Sequence, residues 1–498
     1  MTYELYWGDL HSHCSVSYGS GTVEQALARA RGQLDFCSIT GHAFWPDMPS
    51  DRQRYGRIID YHREGFARLA RNWDRLLTLE DTATRPGEFV VLPSYEWHSL
   101  RFGDHNVYGR GPQLPLRDAP DLPSLREATG EALLIPHHIG YAVGHRGIDW
   151  RHFCPQRSPV VEIYSLHGCS ESEQAPCPML HDMGPRDAGS TAAAGWALGH
   201  RFGVIASSDH HGGYPGSHGD GRVAVLATEL SRDALFDALR ARRTYAATGD
   251  KIDARFFVDD AWMGSQIRAP GRRRIRLRVV GSDALDRVEV LKNENVLRRF
   301  HPDRRPVDEQ ATSTFRLRIT WGWGRRDEPV RWAAKLTLSE GAIRSSEPCF
   351  CGQPVVAPQG IAGHDERPDD EDLPHEIIEQ SAKGLAWRSI TTGNRSTRHA
   401  TTQGLSLLIE AAPRAHVTLE VNRNRLTHRL ADLLRLGRAH YMRGVLSEAV
   451  RIGPLVPLTD CTVEAEFDDD ADGSDMYRLR AAQTNGQWVW LSPVWVDA

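Results

Sequence analysis

The sequence predicts an α/β fold: a β/α barrel over residues 1–252, followed by a β-sandwich-like C-terminal region. Three observations carry this expectation. The first half repeats one unit, a short apolar run rich in β-branched residues, then a polar residue with ligand chemistry, then a loop or helix. From about Asp253 the texture changes to short alternating strands. Histidine follows the same division, with 16 of the 23 lying in residues 1–252, and neutral imidazole is the commonest protein ligand for metals.

The apolar runs of the first half are 5–10, 36–40, 89–95, 106–108, 132–135, 160–164 and 203–206. Between the first two, Thr22 and Gln25 stand in capping-box register and Val23, Ala26, Leu27 and Ala30 share one face, which predicts a helix. Further helices are expected over 54–77 and from Ser231, as N-cap, to 243. Strands that alternate with helices imply parallel pairing, and so many of them in one stretch favour a barrel. Beyond it, 274–280 and 288–291 alternate as antiparallel strands do, and Arg272-Arg273-Arg274 reads as a solvated edge. The expected divisions are 253–352 as the first part of the sandwich, 353–380 as an acidic, Pro-rich linker around Asp369-Asp370-Glu371-Asp372, and 381–498 as a β-rich remainder with one helix at 424–437.

Composition narrows the function classes. With 498 residues, 40% hydrophobic and 25% charged, the chain is globular, and no apolar run is long enough to span a bilayer. Its 60 Lys+Arg against 65 Asp+Glu leave a net charge of -5, without the positive field that non-specific nucleic-acid binding needs. The opening residues lack a basic stretch followed by an apolar core, which predicts a cytoplasmic protein. The expected partner is therefore a small-molecule substrate, and the oligomeric state is left open. Eight cysteines without a CxxC pair are expected to be free thiols.

Nearly every expected strand of the first half ends in ligand chemistry. The first runs into Asp9-Leu10-His11-Ser12-His13, where an extended backbone puts His11 and His13 on one face. Others end at Thr40-Gly41-His42, Tyr95-Glu96-Trp97-His98, Pro136-His137-His138, Glu162 and Ser207-Ser208-Asp209-His210-His211, and Asp104-His105-Asn106 opens another. In a parallel barrel these ends converge on one face. Histidine with carboxylates favours zinc, manganese or iron, and the number of candidates exceeds what one four-coordinate ion uses. The expectation is two or three divalent ions, with Glu96 as the bridging carboxylate.

The order His11-x-His13, Ile39-Thr40-Gly41-His42, Glu96, His105, His137 and Asp209-x-His211 resembles the PHP superfamily, named for polymerase and histidinol phosphatase domains. That resemblance implies a distorted seven-stranded β/α barrel with a di- or trinuclear site, in which His11, His13, His42, Glu96, His105, His137, Asp209 and His211 are the metal ligands. The tail 241–250 is similar to a large branch of the superfamily with a C-terminal β-domain, and Pro136-His137-His138 is similar to carbaryl-hydrolase-like members. Two positions depart: Tyr18 and Gly41 stand where many members carry aspartate, and Asp47, Asp104, His138 and Glu162 are the nearby substitutes.

The implied activity is hydrolysis of a small-molecule ester by hydroxide on the metals, with a phosphoester preferred. Carbamates or carboxylic esters and amides are the alternative within the fold. A catalytically degenerate metal-binding protein with a recognition β-domain is the alternative from another class. His98, His138 and Arg146 are the candidate catalytic residues, the histidines as proton donors to the leaving group alongside His145 and His210, and Arg146, with Arg151, as an anion clamp. Tyr18, Trp45 and Trp97 are candidate walls for an apolar or ring-bearing substrate. Gly212-Gly213-Tyr214-Pro215-Gly216 lacks the lysine of a nucleotide-binding loop.

Overall fold

In chain order the first half carries β1 (Glu4–Asp9), α1 (Val23–Arg31), β2 (Phe36–Cys37), β3 (Gly41–Phe44), α2 (Arg52–Ala83), β4 (Val90–Val91), β5 (Ser94–Trp97), β6 (His105–Tyr108), α3 (Leu122–Ala128), β7 (Leu133–Pro136), β8 (Val160–Ser165), β9 (Gly168–Cys169), α4 (Ala192–Ala197), β10 (Gly203–Ala206), β11 (Arg222–Ala227), α5 (Arg232–Arg240) and β12 (Thr244–Ala247). The computed structural model describes residues 2–181, 183–323, 329–352, 375–391, 402–471 and 473–498. The fold is mixed α/β, mostly strands with few helices.

The helices form where local chemistry dictates. Both halves of the Thr22–Gln25 capping box are made, and Val23, Ala26, Leu27 and Ala30 are buried. Asp51 caps α2 by accepting from the Gln53 and Arg54 amides, and the buried face of α2 runs through Ile59, Leu69, Trp73, Leu76 and Leu77. Ser231 caps α5, which ends at Arg240.

The strands do not close into one parallel barrel. They divide among three sheets, one containing β4, β2, β1, β11 and β12, one of β3, β5, β6 and β7, and one of β10, β8 and β9. Parallel pairing is confined to β1–β2, β2–β4, β3–β5 and β8–β10, while β1–β11, β11–β12, β5–β6, β6–β7 and β8–β9 are antiparallel. The reason lies in the connections. Only seven residues link Trp97 to His105, and two link Ser165 to Gly168; such links suit reversal rather than a crossover, which needs about a dozen residues. The sheets nevertheless abut, with the Leu134 amide donating to Arg157 O (2.8 Å) and the Asp209 amide to His11 O (2.7 Å).

The second half contains two five-stranded antiparallel sheets. One has the order Ala342–Cys349, Gln403–Ala411, Ser313–Trp323, Glu448–Pro457, Arg438–Tyr441; the other has Glu376–Gln380, Gly384–Thr391, Val330–Leu338, His416–Val421, Asn424–Arg429. Leu317 and Leu407 from the first share a buried core with Leu336 and Leu419 from the second. The chain's last strands return to the first half: Trp488–Leu491 pairs antiparallel with β12, Tyr245 opposite Leu491. One sheet therefore crosses the expected boundary at 252.

Three local expectations are corrected. Arg273 is not a solvated edge: its strand lies between two others, and its buried guanidinium pairs with Asp475 and donates to Tyr477 Oη (3.0 Å). The helix expected at 424–437 is confined to Leu430–Arg435, because Asn424–Arg429 pairs with His416–Val421 as a strand. Of the linker expected at 353–380, residues 353–374 lie outside the described residues, and Glu376–Gln380 is a strand. Among the described residues no helix is long and apolar enough to cross a membrane.

Candidate metal centre

Asp9 ends β1 as a buried carboxylate and organises two ligand-bearing segments. It accepts from the His11 amide (3.0 Å), the Ser208 amide (3.0 Å) and the Gly216 amide (2.6 Å). The His13 amide donates to His210 O at 2.9 Å, so 11–13 and 209–211 run side by side. Asp209 (φ 53°), His138 (φ 33°) and Arg146 (φ 69°) all occupy the left-handed region, which non-glycine residues rarely adopt. Such strain tends to collect where surrounding structure fixes functional groups.

Most of the expected ligands meet. Glu96, from β5, is the centre: Oε1 lies 2.9 Å from His137 Nε2 and 3.2 Å from His98 Nδ1, while Oε2 lies 3.3 Å from His42 Nε2 and 3.6 Å from His13 Nε2. Asp209 Oδ1 is 3.0 Å from His13 Nε2 and 3.2 Å from His11 Nε2. The ring nitrogens of His13, His42 and His211 form one close group, and His11, His13 and Glu96 another. Glu162 Oε2 joins through His11 Nδ1 at 3.0 Å.

His105 does not join. Its Nδ1 faces Gly103 O at 2.9 Å, and it belongs to none of the close ligand groups among the described residues. Sequence reasoning missed His167, whose Nε2 sits 3.0 Å from Asp209 Oδ2. Two residues beyond β8, it had the same strand-end signal as the others.

His98, His138 and Arg146 gather on Asp104, while His210 lies apart from it, its Nδ1 accepting from the Gly212 amide at 3.0 Å. This buried carboxylate accepts from the Ser99 amide (2.9 Å) and from Arg146 Nε (2.6 Å), and lies 3.2 Å from His98 Nδ1 and 3.3 Å from His138 Nε2. Arg146 also stacks over Trp45, 5.3 Å from the ring centroid. Arg151 and His145 do not reach this group: Arg151 is exposed and pairs with Asp149, and His145 is exposed.

Electrostatics fit cation ligation at Glu96 and at three of the imidazoles, whereas His11, against the effect of burial, is held up at about 10 by Asp209 and Glu162, so a cation there would displace its proton. Burial alone would raise the Glu96 carboxyl, but the imidazoles of His98, His137 and His13 outweigh it and hold it well below the usual range. Burial drives His42, His137 and His211 well below the ordinary imidazole value, so they are neutral, as ligation requires. Burial likewise pushes Glu162 up to about 7 against the pull of His11. His11 Nε2, His13 Nδ1, Glu96 Oε2 and His137 Nδ1 are buried without a hydrogen-bond partner. Orphaned donor atoms in a converging set of imidazoles and carboxylates are what divalent cations satisfy.

The two departures have different explanations. Tyr18 lies in the site, its ring stacked on His42 at 3.5 Å between centroids. Gly41 does not: a Cβ there would lie 2.5 Å from Leu69 Cδ1 of α2, on the opposite side of the strand from His42. An aspartate at 41 therefore cannot strengthen cation binding, and its φ is not positive. Gly41→Asp should leave metal retention unchanged and cost about 2–3 kcal/mol, from overpacking and from burying a carboxylate without a partner. Thermal melts and elemental analysis of the variant check both. Trp97 is core rather than wall, fully buried with Nε1 donating to Ala119 O at 3.2 Å.

The class defined so far is a mixed α/β protein with a clustered His, Asp and Glu site suited to divalent metals. Among known proteins, a family described as "Protein of unknown function (DUF3604)" matches residues 216–272, a segment that holds β11, α5 and β12. An uncharacterized protein of Chlamydia pneumoniae is 33% identical over 325 residues, which is 61% of this chain and 50% of that protein. One from Chlamydia trachomatis serovar D is 32% identical over 174 residues, 32% of this chain and 28% of that one. The chain thus spans half or less of these curated relatives. A crystal structure from Bacteroides vulgatus ATCC 8482, of a two-domain protein containing a predicted PHP-like metal-dependent phosphoesterase, is similar with a TM-score of 0.31 and 18% identity, covering 58% of this chain and 79% of that one.

Proposed function

We propose that the protein is a metal-dependent hydrolase of a small-molecule ester, a phosphoester first, with its site carried by residues 1–252. The observation that supports this most is the burial of Glu96 and Asp209 among His11, His13, His42, His137 and His211 with several donor atoms left without partners. The ligand set we infer keeps these seven and takes Glu162 in place of His105. Two or three divalent transition-metal ions held there, whether zinc, manganese or iron, would supply Lewis acidity to an ester oxygen and to water.

The chain's own groups do the rest. His98 Nδ1 faces Arg146 Nη2 at 2.6 Å, which leaves the N–H on Nε2 to be given to a leaving group, while His138, kept neutral by burial and donating Nε2–H to Asp104, has Nδ1 free to accept a proton. Arg146 keeps its charge because Asp104 outweighs the penalty of burial, and it stands 3.8 Å from Glu96 Oε1. Fixed there, it can orient an anionic group toward the cluster.

The test is elemental analysis of the reconstituted protein, then a screen of phosphomonoester, phosphodiester, carboxylic ester and carbamate substrates. About two or more metal equivalents and a phosphoester rate lost on chelation are expected. Metal without hydrolysis of any class would leave only a binding role; no metal would remove the proposal. His11→Ala/His13→Ala should lose at least one equivalent yet remain folded, since a domain with a large core does not rely on metal to fold.

A further inference from the structure

Beside His98 lies a groove to which none of the inferred metal ligands contributes a wall. The groove lies between the segment 43–50 that follows β3 and the first half of α2, with a volume of about 510 Å³, within the roughly 300–1,000 Å³ typical of organic-ligand sites. Phe44, Trp45, Met48, Ile59, Phe66 and Leu116 provide its apolar walls. Two of these also face the cluster: the Phe66 ring stacks on His98 at 5.9 Å between centroids and Trp45 lies 5.8 Å from His98. His62, one helical turn before Phe66, lies 4.9 Å from Trp45 and 5.1 Å from Tyr18, closing the aromatic surround.

A groove that shares walls with His98 is placed to hold one end of a molecule whose other end reaches the metals. Arg52, Arg63 and Asp118 also line it, but most of its walls are aromatic and aliphatic, and the flat faces of Trp45 and Phe66 suit stacking against a ring. We propose that this groove binds the ring-bearing, apolar part of the ester, so that the substrate class is an aryl or similarly flat phosphoester rather than a small polar one. This rests on the hydrolase reading above, because the reacting end of the substrate is placed by the metal cluster. Phe66, Ile59 and Ala67 are substrate-binding positions in this view, and none is a metal ligand.

Titration calorimetry on the metal-loaded full chain tests it, with 1-naphthyl phosphate, used throughout as its non-hydrolysable methylenephosphonate analogue, and inorganic phosphate as probes. The naphthyl ester should bind about tenfold or more tighter than phosphate, an increment one well-buried apolar group readily supplies. Ala67→Trp, an exposed helix position that lines the groove, should fill it without opening the core. That variant should keep its metal content and its affinity for phosphate while losing most of the naphthyl preference, and Phe66→Ala should weaken naphthyl binding in the same direction. Naphthyl phosphate binding no tighter than phosphate, with metal and phosphate both bound, overturns the groove and leaves the hydrolase reading standing. A naphthyl preference untouched by Ala67→Trp overturns it as well, because the ring then binds elsewhere. Absence of metal and of phosphate binding overturns both readings together.

Discussion

Glu96→Gln is expected to lower the metal content of the reconstituted protein and to reduce turnover by at least the roughly 10²–10³-fold that loss of one preorganised electrostatic group costs. The substitution keeps volume and shape, so its effect isolates charge. Glu96 is fully buried with four histidines within reach of its two oxygens, His98 and His137 at Oε1 and His13 and His42 at Oε2. A carboxylate there neutralises charge on two sides at once; an amide neutralises none and turns an N–H toward atoms that must accept a cation. His98→Ala is the control. Its Nδ1 is already engaged by Asp104, Glu96 and Arg146, so metal content should be retained while the rate falls, most for substrates with poor leaving groups. Equal metal loss in the two variants would move His98 into the ligand set.

The site was more legible in the sequence than the sheets around it. Ligand types at strand ends are local facts, and five of the expected motifs meet around Glu96 and Asp209 without any knowledge of how the strands pair. Pairing direction is not local. The short apolar runs that marked 106–108 and 132–135 as strands look the same for parallel and antiparallel neighbours, so the antiparallel run β5–β6–β7 was read as part of a parallel barrel. His105 was carried into the ligand set by its place in a motif, whereas its neighbour Asp104 carries the contacts that hold His98, His138 and Arg146. Adjacent positions on a strand point to opposite faces, and a one-residue difference decides which of the two reaches the site. Gly41 and His42 differ in the same way, one facing Leu69 and the other Glu96. Arg273 looked like an exposed charge because its partner Asp475 is far away in sequence, and the return of Trp488–Leu491 to β12 was hidden for the same reason.

That return is fastened by the second large effect expected. Glu171, which follows β9, is fully buried and its Oε1 pairs with the equally buried Arg478 from the strand Asp475–Gln483. Its Oε2 accepts from Trp490 Nε1 at 2.9 Å and lies 3.2 Å from Arg480 Nη1. Arg478 keeps its charge because Glu171 and Glu294 together outweigh burial. Glu171→Ala would leave the buried Arg478 to Glu294 alone and strip the Trp490 N–H of its acceptor, and an unsatisfied buried polar group typically costs about 1–3 kcal/mol. Urea unfolding followed by tryptophan fluorescence should show a loss of that size. The double replacement Glu171→Met/Arg478→Met should recover only the part owed to Arg478, since apolar residues can substitute for a buried pair but the Trp490 N–H stays without its acceptor. Because Glu171 belongs to the half that carries the candidate metal site and its partners to the chain's last strands, the single variant should also loosen β12 and the Ser492 contact to Val204 of β10, where Ser492 Oγ accepts from the Val204 amide at 2.9 Å. Hydrogen exchange should therefore quicken in β10 and β12 together. Faster exchange confined to Asp475–Gln483 would mean that the pair stabilises only its own strand, and that the half carrying the candidate site stands without the C-terminal return.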